Sequence, residues 1–389
     1  MKRKVFASIV AFLLMLSFRS GAEMKGYQVN GKIEGLHEGQ KVVAILLLPG
    51  AFNLERRDSA YVKNGEFKLK GIVPEGPREY WILFDGQFRM HLFINNGDSV
   101  FVKSNMNLSD FHHAYIDAYV TVYGASYNAS FRNMIASWFF YDRTIINLKK
   151  QAQKIVDSLG FDGPRLNGIY EAVDVVNKSL VMELFTRNPN QTDSEIVFAY
   201  PLIANPVYQR SGHAAFIADA YNELHPEMKE SFVGKEMKEL TRLCIGQPFP
   251  DFKLPTAEGQ QLALKEVVAK SKITIVHFWA VNSSNRRKME DELRLLYKKY
   301  HDKGLNVIGF SSDKYADEWK DNVQTEQFPW YNVSDLKGKD GMVEHVYHEF
   351  GNPRVHNTTN VLIDKQGKIL AWDVEGAELQ WYLWKSFGE

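Results

Sequence analysis

The hydrophobic period of this 389-residue chain changes twice, and each change limits what that part of the chain can fold into. From Tyr27 to about Lys103, short apolar runs of strand type are cut by Asn-Gly and Asp-Gly pairs. From Asn105 to about Thr241 the apolar spacing lengthens toward that of a helix. From Ile245 onward, strand-type and helix-type runs alternate. Three patterns predict three regions: an antiparallel β-sandwich over 23–104, a helical middle region over 105–242 and an α/β domain over 243–389. The length agrees, being too great for one ordinary domain.

Strands are expected at Tyr27–Glu34, Lys41–Leu48, Glu79–Phe84, Phe88–Ile94 and Ser99–Lys103. Asn64-Gly65 sits between Ala60–Lys63 and Glu66–Lys70, which predicts a hairpin because both turn positions accept positive φ. Helices are expected over Tyr127–Leu159 and Asn167–Phe185, with Gly160–Pro164 and Asn188-Pro189-Asn190 as breaks. The aromatic run Trp138-Phe139-Phe140-Tyr141 reads as helix core. In the last region the expected order is strand Ile273–Ala280, helix Arg286–Tyr300, strand Leu305–Ser311 and helix Ala316–Gln324. A hairpin around Lys365-Gln366-Gly367 and a terminal helix Glu378–Phe387 follow. Alternating β and α predicts a sheet with helices on both faces.

The first residues read as an export signal, with basic Met1-Lys2-Arg3-Lys4 followed by a 14-residue apolar run, Val5–Phe18. Ser20-Gly21-Ala22 then offers small residues for cleavage after Ala22. The run is short of the ~20 residues that span a bilayer, so no membrane span is expected after cleavage. With no cysteine behind the run, a lipoprotein anchor is not expected either. Lys+Arg and Asp+Glu are both 47, which excludes a basic nucleic-acid footprint over the whole protein. Removal of residues 1–22 leaves 43 basic against 47 acidic residues. Cys244 is the only cysteine, so the chain has no Cys-x-x-Cys redox pair, no internal disulfide and no cysteine-rich zinc site.

Several blocks of the last region then point one way: IGQPFPDFKLP (245–255), TIVHFWA (274–280), NVIGFSSD (306–313), Trp319, Trp330 and NVLIDKQGKI (360–369). In order and spacing they resemble the TlpA/ResA-like thioredoxin-fold family, which is related to AhpC/TSA proteins. The resemblance covers about 145 residues and implies a C-terminal α/β thioredoxin-like domain. DSAYVKNGEFKLKG (58–71) and FINNGDSVFV likewise resemble a module of unknown function often placed before such domains in exported bacterial proteins.

The resemblance also implies Trp-Cys-x-x-Cys at the start of the helix after the F-W-A strand. There, free N–H groups and the helix dipole stabilise a thiolate. This chain has Asn282 at the tryptophan position, Ser283 at the first cysteine and Arg286 at the second. His277 stands where the family often has an acid, and Thr358 falls at the position of the cis-proline. A trans bond is expected before Thr358, because a cis bond there would cost ~2.5–4 kcal/mol. A serine hydroxyl cannot form the mixed disulfide of thiol exchange, and an arginine cannot resolve one.

Other chemistry is thinly supported. Ser283 and His277 lack an evident orienting acid, and a serine capping the helix is the simpler reading. Arg286, Arg287 and Lys288 could form an anion-binding corner, but a solvated basic turn is favoured. Glu344, His345, His348, Glu349 and His356 match no strong metal motif, and no metal or cofactor is expected. His112-His113 is weaker still.

The sequence therefore predicts an exported thioredoxin-like protein that has lost its redox cysteines. It would bind a peptide or protein partner in the envelope of a Gram-negative bacterium, and no nucleic acid. The expected binding residues are Asn282, Ser283, Arg286, His356 and Thr358. The alternatives are a thiol-disulfide oxidoreductase or antioxidant protein, as the resemblance alone would suggest, and a structural subunit of an envelope assembly.

Overall fold

The computed structural model describes residues 25–388 except 49–52, 74–76, 105, 111–115, 126, 187–198, 200–213, 243, 284 and 343–357. The expected export signal, His112-His113 and the Glu344–His356 cluster lie outside the described residues. The chain divides into two compact units, one of residues 1–45 and 56–126 and one of 46–55 and 127–389.

The N-terminal region forms two four-stranded sheets. Its strands are β1 (Tyr27–Ile33), β2 (Lys41–Leu48), β3 (Asn53–Tyr61), β4 (Glu66–Gly71), β5 (Arg78–Phe84), β6 (Phe88–Ile94), β7 (Ser99–Ser104) and β8 (Val120–Tyr123). The orders are β4-β1-β7-β8 and β3-β2-β5-β6. Their inner faces meet through Tyr27 on Tyr80 and Phe67 on Phe84, both edge-to-face. Strands with one buried face alternate, and β1, β4 and β7 do so along their length.

Three features differ from expectation. β1 pairs with β7 in parallel, so the first sheet is mixed. Asn64 and Gly65 do adopt positive φ (54° and 74°), and Lys63 and Glu66 close the turn. However, β3 and β4 then enter different sheets, so the turn makes a corner instead of a two-stranded hairpin. β8 adds a strand from the stretch expected to be helical. In the second sheet, fully buried Glu79 has its carboxyl pushed up to about 7 by burial, near His91, whose Nδ1 lies 2.9 Å from Asp117 Oδ2.

The helices of the second unit start with α1 (Tyr127–Leu159) and α2 (Gly163–Thr186), joined across Gly160, whose φ of 80° ends α1. Phe140 is 69% exposed, contrary to the core reading of the aromatic run. Tyr141 beside it is half-buried, and Trp138 and Phe139 lie outside the described side chains. Then follow α3 (Ala214–Glu223), α4 (Pro226–Glu230), α5 (Phe232–Thr241), β9 (Lys253–Pro255), β10 (Gln261–Ala263) and α6 (Leu264–Val268).

The α/β core comprises β11 (Ile273–Trp279), α7 (Arg286–Tyr300), β12 (Leu305–Ser311), α8 (Ala316–Glu326), β13 (Tyr331–Ser334), β14 (Thr359–Asp364), β15 (Ile369–Trp372) and α9 (Gly376–Phe387). Its sheet order is β13-β12-β11-β14-β15. The pairs β13–β12 and β12–β11 are parallel, while β11–β14 and β14–β15 are antiparallel. All seven residues of β11 are buried, as a central strand covered on both faces requires. Val276 and Phe278 enter one core cluster, and Ile273 and Ile275 enter the other with Leu293 and Leu296 of α7.

The α1–α2 hairpin belongs to this unit as well. Tyr170 stacks on Trp381 of α9 at 4.8 Å, Trp381 Nε1 donates to Asn167 Oδ1, and Lys149 pairs with Glu378 at 2.8 Å. Among the described residues no helix is long and apolar enough to cross a membrane.

Candidate functional site

The candidate site is the loop from the C-terminal end of β11 to the first turn of α7. Its entry is fixed by Asp313, whose two carboxylate oxygens accept from Val281 N–H at 3.1 and 3.2 Å. Ser311 Oγ donates to Asp313 at 2.7 Å, and burial raises the pKa of that carboxyl. Ser283 N–H donates to Ala280 O at 3.0 Å, which tightens the loop before the helix starts. Asn282 is exposed, with Nδ2 3.3 Å from Glu318 Oε1, and Ser283 is half-buried.

Asn285 occupies the N-cap position of α7 and makes no side-chain cap bond, so the expected capping role does not fall to Ser283. The residue at the cap is set by where helical φ and ψ begin, and they begin at Arg286.

Arg286 points inward. Only 4% exposed, it differs from the expected solvated basic turn, whose other members Arg287 and Lys288 are exposed. Its guanidinium donates to Asn322 Oδ1 and approaches Glu326 at 3.4 Å and Glu290 at 3.6 Å. It also lies 5.5 Å from the ring centroid of Trp279. Asn322 and Glu326 are one turn apart on α8, so the arginine ties the start of α7 to the end of α8. Glu290 is 2% exposed, and burial outweighs Arg286 in pushing its carboxyl up to about 7. Glu326 also pairs with Arg294 at 3.7 Å. The spacing of Arg286 and Glu290 on one helix is legible in the sequence. The partners on α8 are tertiary and carry no local signal.

His277 lies on the same face of β11 as Ile275 and opposite Asn360 in the β11–β14 register. Its Nδ1 is 2.8 Å from Asn360 Oδ1, and Asn360 Nδ2 donates to Val374 O at 3.0 Å. The second bond fixes the amide orientation, so His277 Nδ1 carries the proton. Burial pushes the imidazole down to about 4, with Arg286 acting in the same direction. Nε2 is buried and has no hydrogen-bond partner among the described residues. A histidine held in this way is neutral at pH 7, with its Nδ1 committed to Asn360.

Thr358 is buried at the entrance to β14, and its Oγ1 has no hydrogen-bond partner among the described residues. His356 and the peptide bond before Thr358 involve residues outside the described set. The structure therefore brings His277 and Arg286 together beneath the loop that carries Asn282 and Ser283. Cys244 lies apart from them in sequence, 2% exposed, with its Sγ 3.8 Å from Leu240 O. Burial pushes its thiol up to about 11. A cleft of about 680 Å³ lies between α8, β13 and the β9–β10 turn, and none of the expected binding residues lines it.

A five-stranded sheet with α7 following its central strand, and a loop at that helix start where a redox pair would sit, defines a thioredoxin-like domain. Residues 245–371 match the AhpC/TSA family, and residues 27–131 match a domain family of unknown function, DUF4369. The C-terminal domain is thioredoxin-like in fold and is similar to the AhpC/TSA and ResA/TlpA-like proteins. The chain is 28% identical over 129 residues to the thiol-disulfide oxidoreductase ResA of Bacillus thuringiensis, covering 33% of this chain and 69% of that protein. It is 28% identical over 141 residues to ResA of Bacillus cereus, covering 36% and 73%. Among solved structures it is similar to the thioredoxin domain of a thiol-disulfide oxidoreductase from Bacteroides vulgatus. That match has 26% identity, a TM-score of 0.33, and coverage of 37% of this chain and 99% of that one.

Proposed function

We propose that this chain is an exported, non-redox member of the thioredoxin-like family that acts by binding a peptide or protein segment in the cell envelope. One observation carries the reading. The two positions at the start of α7 that would hold the redox pair are Ser283 and an inward-pointing Arg286 with three polar partners, so no thiolate stands at this helix N-terminus. Thiol exchange needs a nucleophilic thiolate, and the one thiol in the chain is buried and held well above the ordinary cysteine range.

In the family this domain resembles, the loop before the helix and the segment entering β14 receive an extended substrate peptide. Asn282 and Ser283 on that loop can offer hydrogen bonds to a passing backbone. The basic, apolar first residues of the chain support export and the envelope as its compartment. Titration of the full chain with a panel of extended peptides tests the reading. Binding that is weakened at least tenfold by Ser283→Glu supports it, and failure of every peptide to bind, or binding indifferent to that change, contradicts it.

The second reading is a working thiol-disulfide oxidoreductase, favoured by the ResA relatives and the AhpC/TSA match. It would require Cys244 to leave its buried site and act with an external thiol. Turnover abolished by Cys244→Ser would support that reading.

A further inference from the structure

The outer face of the sheet β4-β1-β7-β8 is built unlike the rest of the N-terminal unit. The inward residues of these strands are buried, while the outward ones are polar, basic or aromatic. Strand register arranges them in rows. Lys68, Asn30, Phe101 and Tyr123 stand side by side across all four strands. In the next row Lys32 and Lys103 are direct neighbours on β1 and β7, and in the row on the other side Lys70 pairs with Gln28. Adjacent strands lie about 4.8 Å apart, so these four exposed lysines stand on one face of the sheet. Glu66 is the one acid in these rows, and it is already engaged by Lys32 at 3.8 Å.

Packing does not account for the aromatic pair. Phe101 and Tyr123 are 38% and 54% exposed, with ring centroids 6.2 Å apart and planes tilted by 40°. Beside them, Gln28 Nε2 donates to Asn30 Oδ1 at 3.2 Å, which orients both amides along the face. Lysines that repel one another are held here by the register of a sheet, and an anionic ligand would relieve that repulsion.

We propose that this face binds the chain of an acidic polysaccharide. Lys32, Lys68, Lys70 and Lys103 would meet its carboxylate or sulfate groups. The amides of Asn30 and Gln28 would meet its hydroxyls, and the rings of Phe101 and Tyr123 would cover its apolar C–H faces. The other polyanions fit less well. A lipid surface calls for aliphatic or aromatic groups that insert below the headgroups along a whole face, and this face has a single aromatic pair. A single-stranded nucleic acid stacks successive bases on successive aromatic platforms. The export signal read from the sequence also directs the chain away from cellular nucleic acid.

The test is binding of the full chain to immobilised polygalacturonate, with dextran, poly(dT) and anionic phospholipid vesicles as parallel probes. The expected result is binding to polygalacturonate that falls with added salt, with no binding to dextran. The double variant Lys32→Glu/Lys103→Glu should lose at least tenfold in affinity. Phe101→Ser should lose severalfold with the salt dependence unchanged. All three positions are exposed, and an unaltered circular dichroism spectrum confirms that the variants fold. The proposal is overturned by absence of polygalacturonate binding, by binding that the double variant retains, or by poly(dT) or vesicles binding as tightly as the glycan.

Discussion

Arg286 and Glu326 approach to 3.4 Å and join the first turn of α7 to the last turn of α8 across 40 residues of sequence. Together with Glu290 and Asn322 they form a polar cluster around the buried Arg286, at a place where the resemblance implies a second cysteine. The inward arginine there ties α7 to α8.

Arg286→Met should destabilise the folded chain by about 1–3 kcal/mol, the usual cost of leaving buried hydrogen-bonding groups without their partner. Adding Glu290→Gln should recover part of that loss, because the residues are in contact and their effects do not add. Urea unfolding of the single and double variants measures both effects. Equal stability of parent and Arg286→Met would mean that the cluster contributes nothing.

The buried His277 makes stability depend on pH with a definite sign. Its folded pKa is about 4, below the ordinary 6.5, so the unfolded chain takes up a proton first as pH falls. The contribution is complete above 6.5 and is lost progressively toward 4, with a total on the order of 3 kcal/mol. His277→Gln keeps a donor for Asn360 and removes the titration. The stability of the parent relative to this variant should fall between pH 6.5 and 4, and a constant difference would show that His277 does not titrate as described.

Gly309 lies opposite His277 in the β11–β12 register. A Cβ at this position would stand 2.1 Å from Asn332 Oδ1 and 3.0 Å from Trp279 Nε1. Gly309→Ala should therefore cost roughly 1–3 kcal/mol through overpacking, read as a lowered midpoint of thermal unfolding. A neutral substitution would mean that Trp279 and Asn332 are not held as described.

Cys244 should react slowly with a maleimide in the native chain at pH 8 and stoichiometrically once the chain is unfolded. Its burial and its raised pKa of about 11 both oppose thiolate formation at the surface. Rapid native labelling would contradict the buried placement.

How far the sequence reaches is clear from particular elements. Tyr127–Leu159, Arg286–Tyr300 and Leu305–Ser311 are legible because each is bounded by a local signal: a glycine stop, a loop of small polar residues, or an apolar run between turns. β8 is missed because four residues, VTVY, are too few to establish a period. The parallel pairing of Val29 with Val100 is invisible for a different reason, since it depends on contacts between residues far apart in the chain. At the site, the loss of the cysteines is plain from residue identity alone. That Arg286 turns inward depends on Asn322 and Glu326, which only the fold brings to it.

The central claim, that this thioredoxin-like domain lacks thiol-exchange chemistry, is tested most directly by reduction of insulin disulfides with dithiothreitol as the electron source. The full chain and a Cys244→Ser variant would be measured against the reductant alone. The account predicts that neither exceeds the background rate. Turnover by the parent above that rate would contradict it, whether or not the Cys244→Ser variant retains the activity.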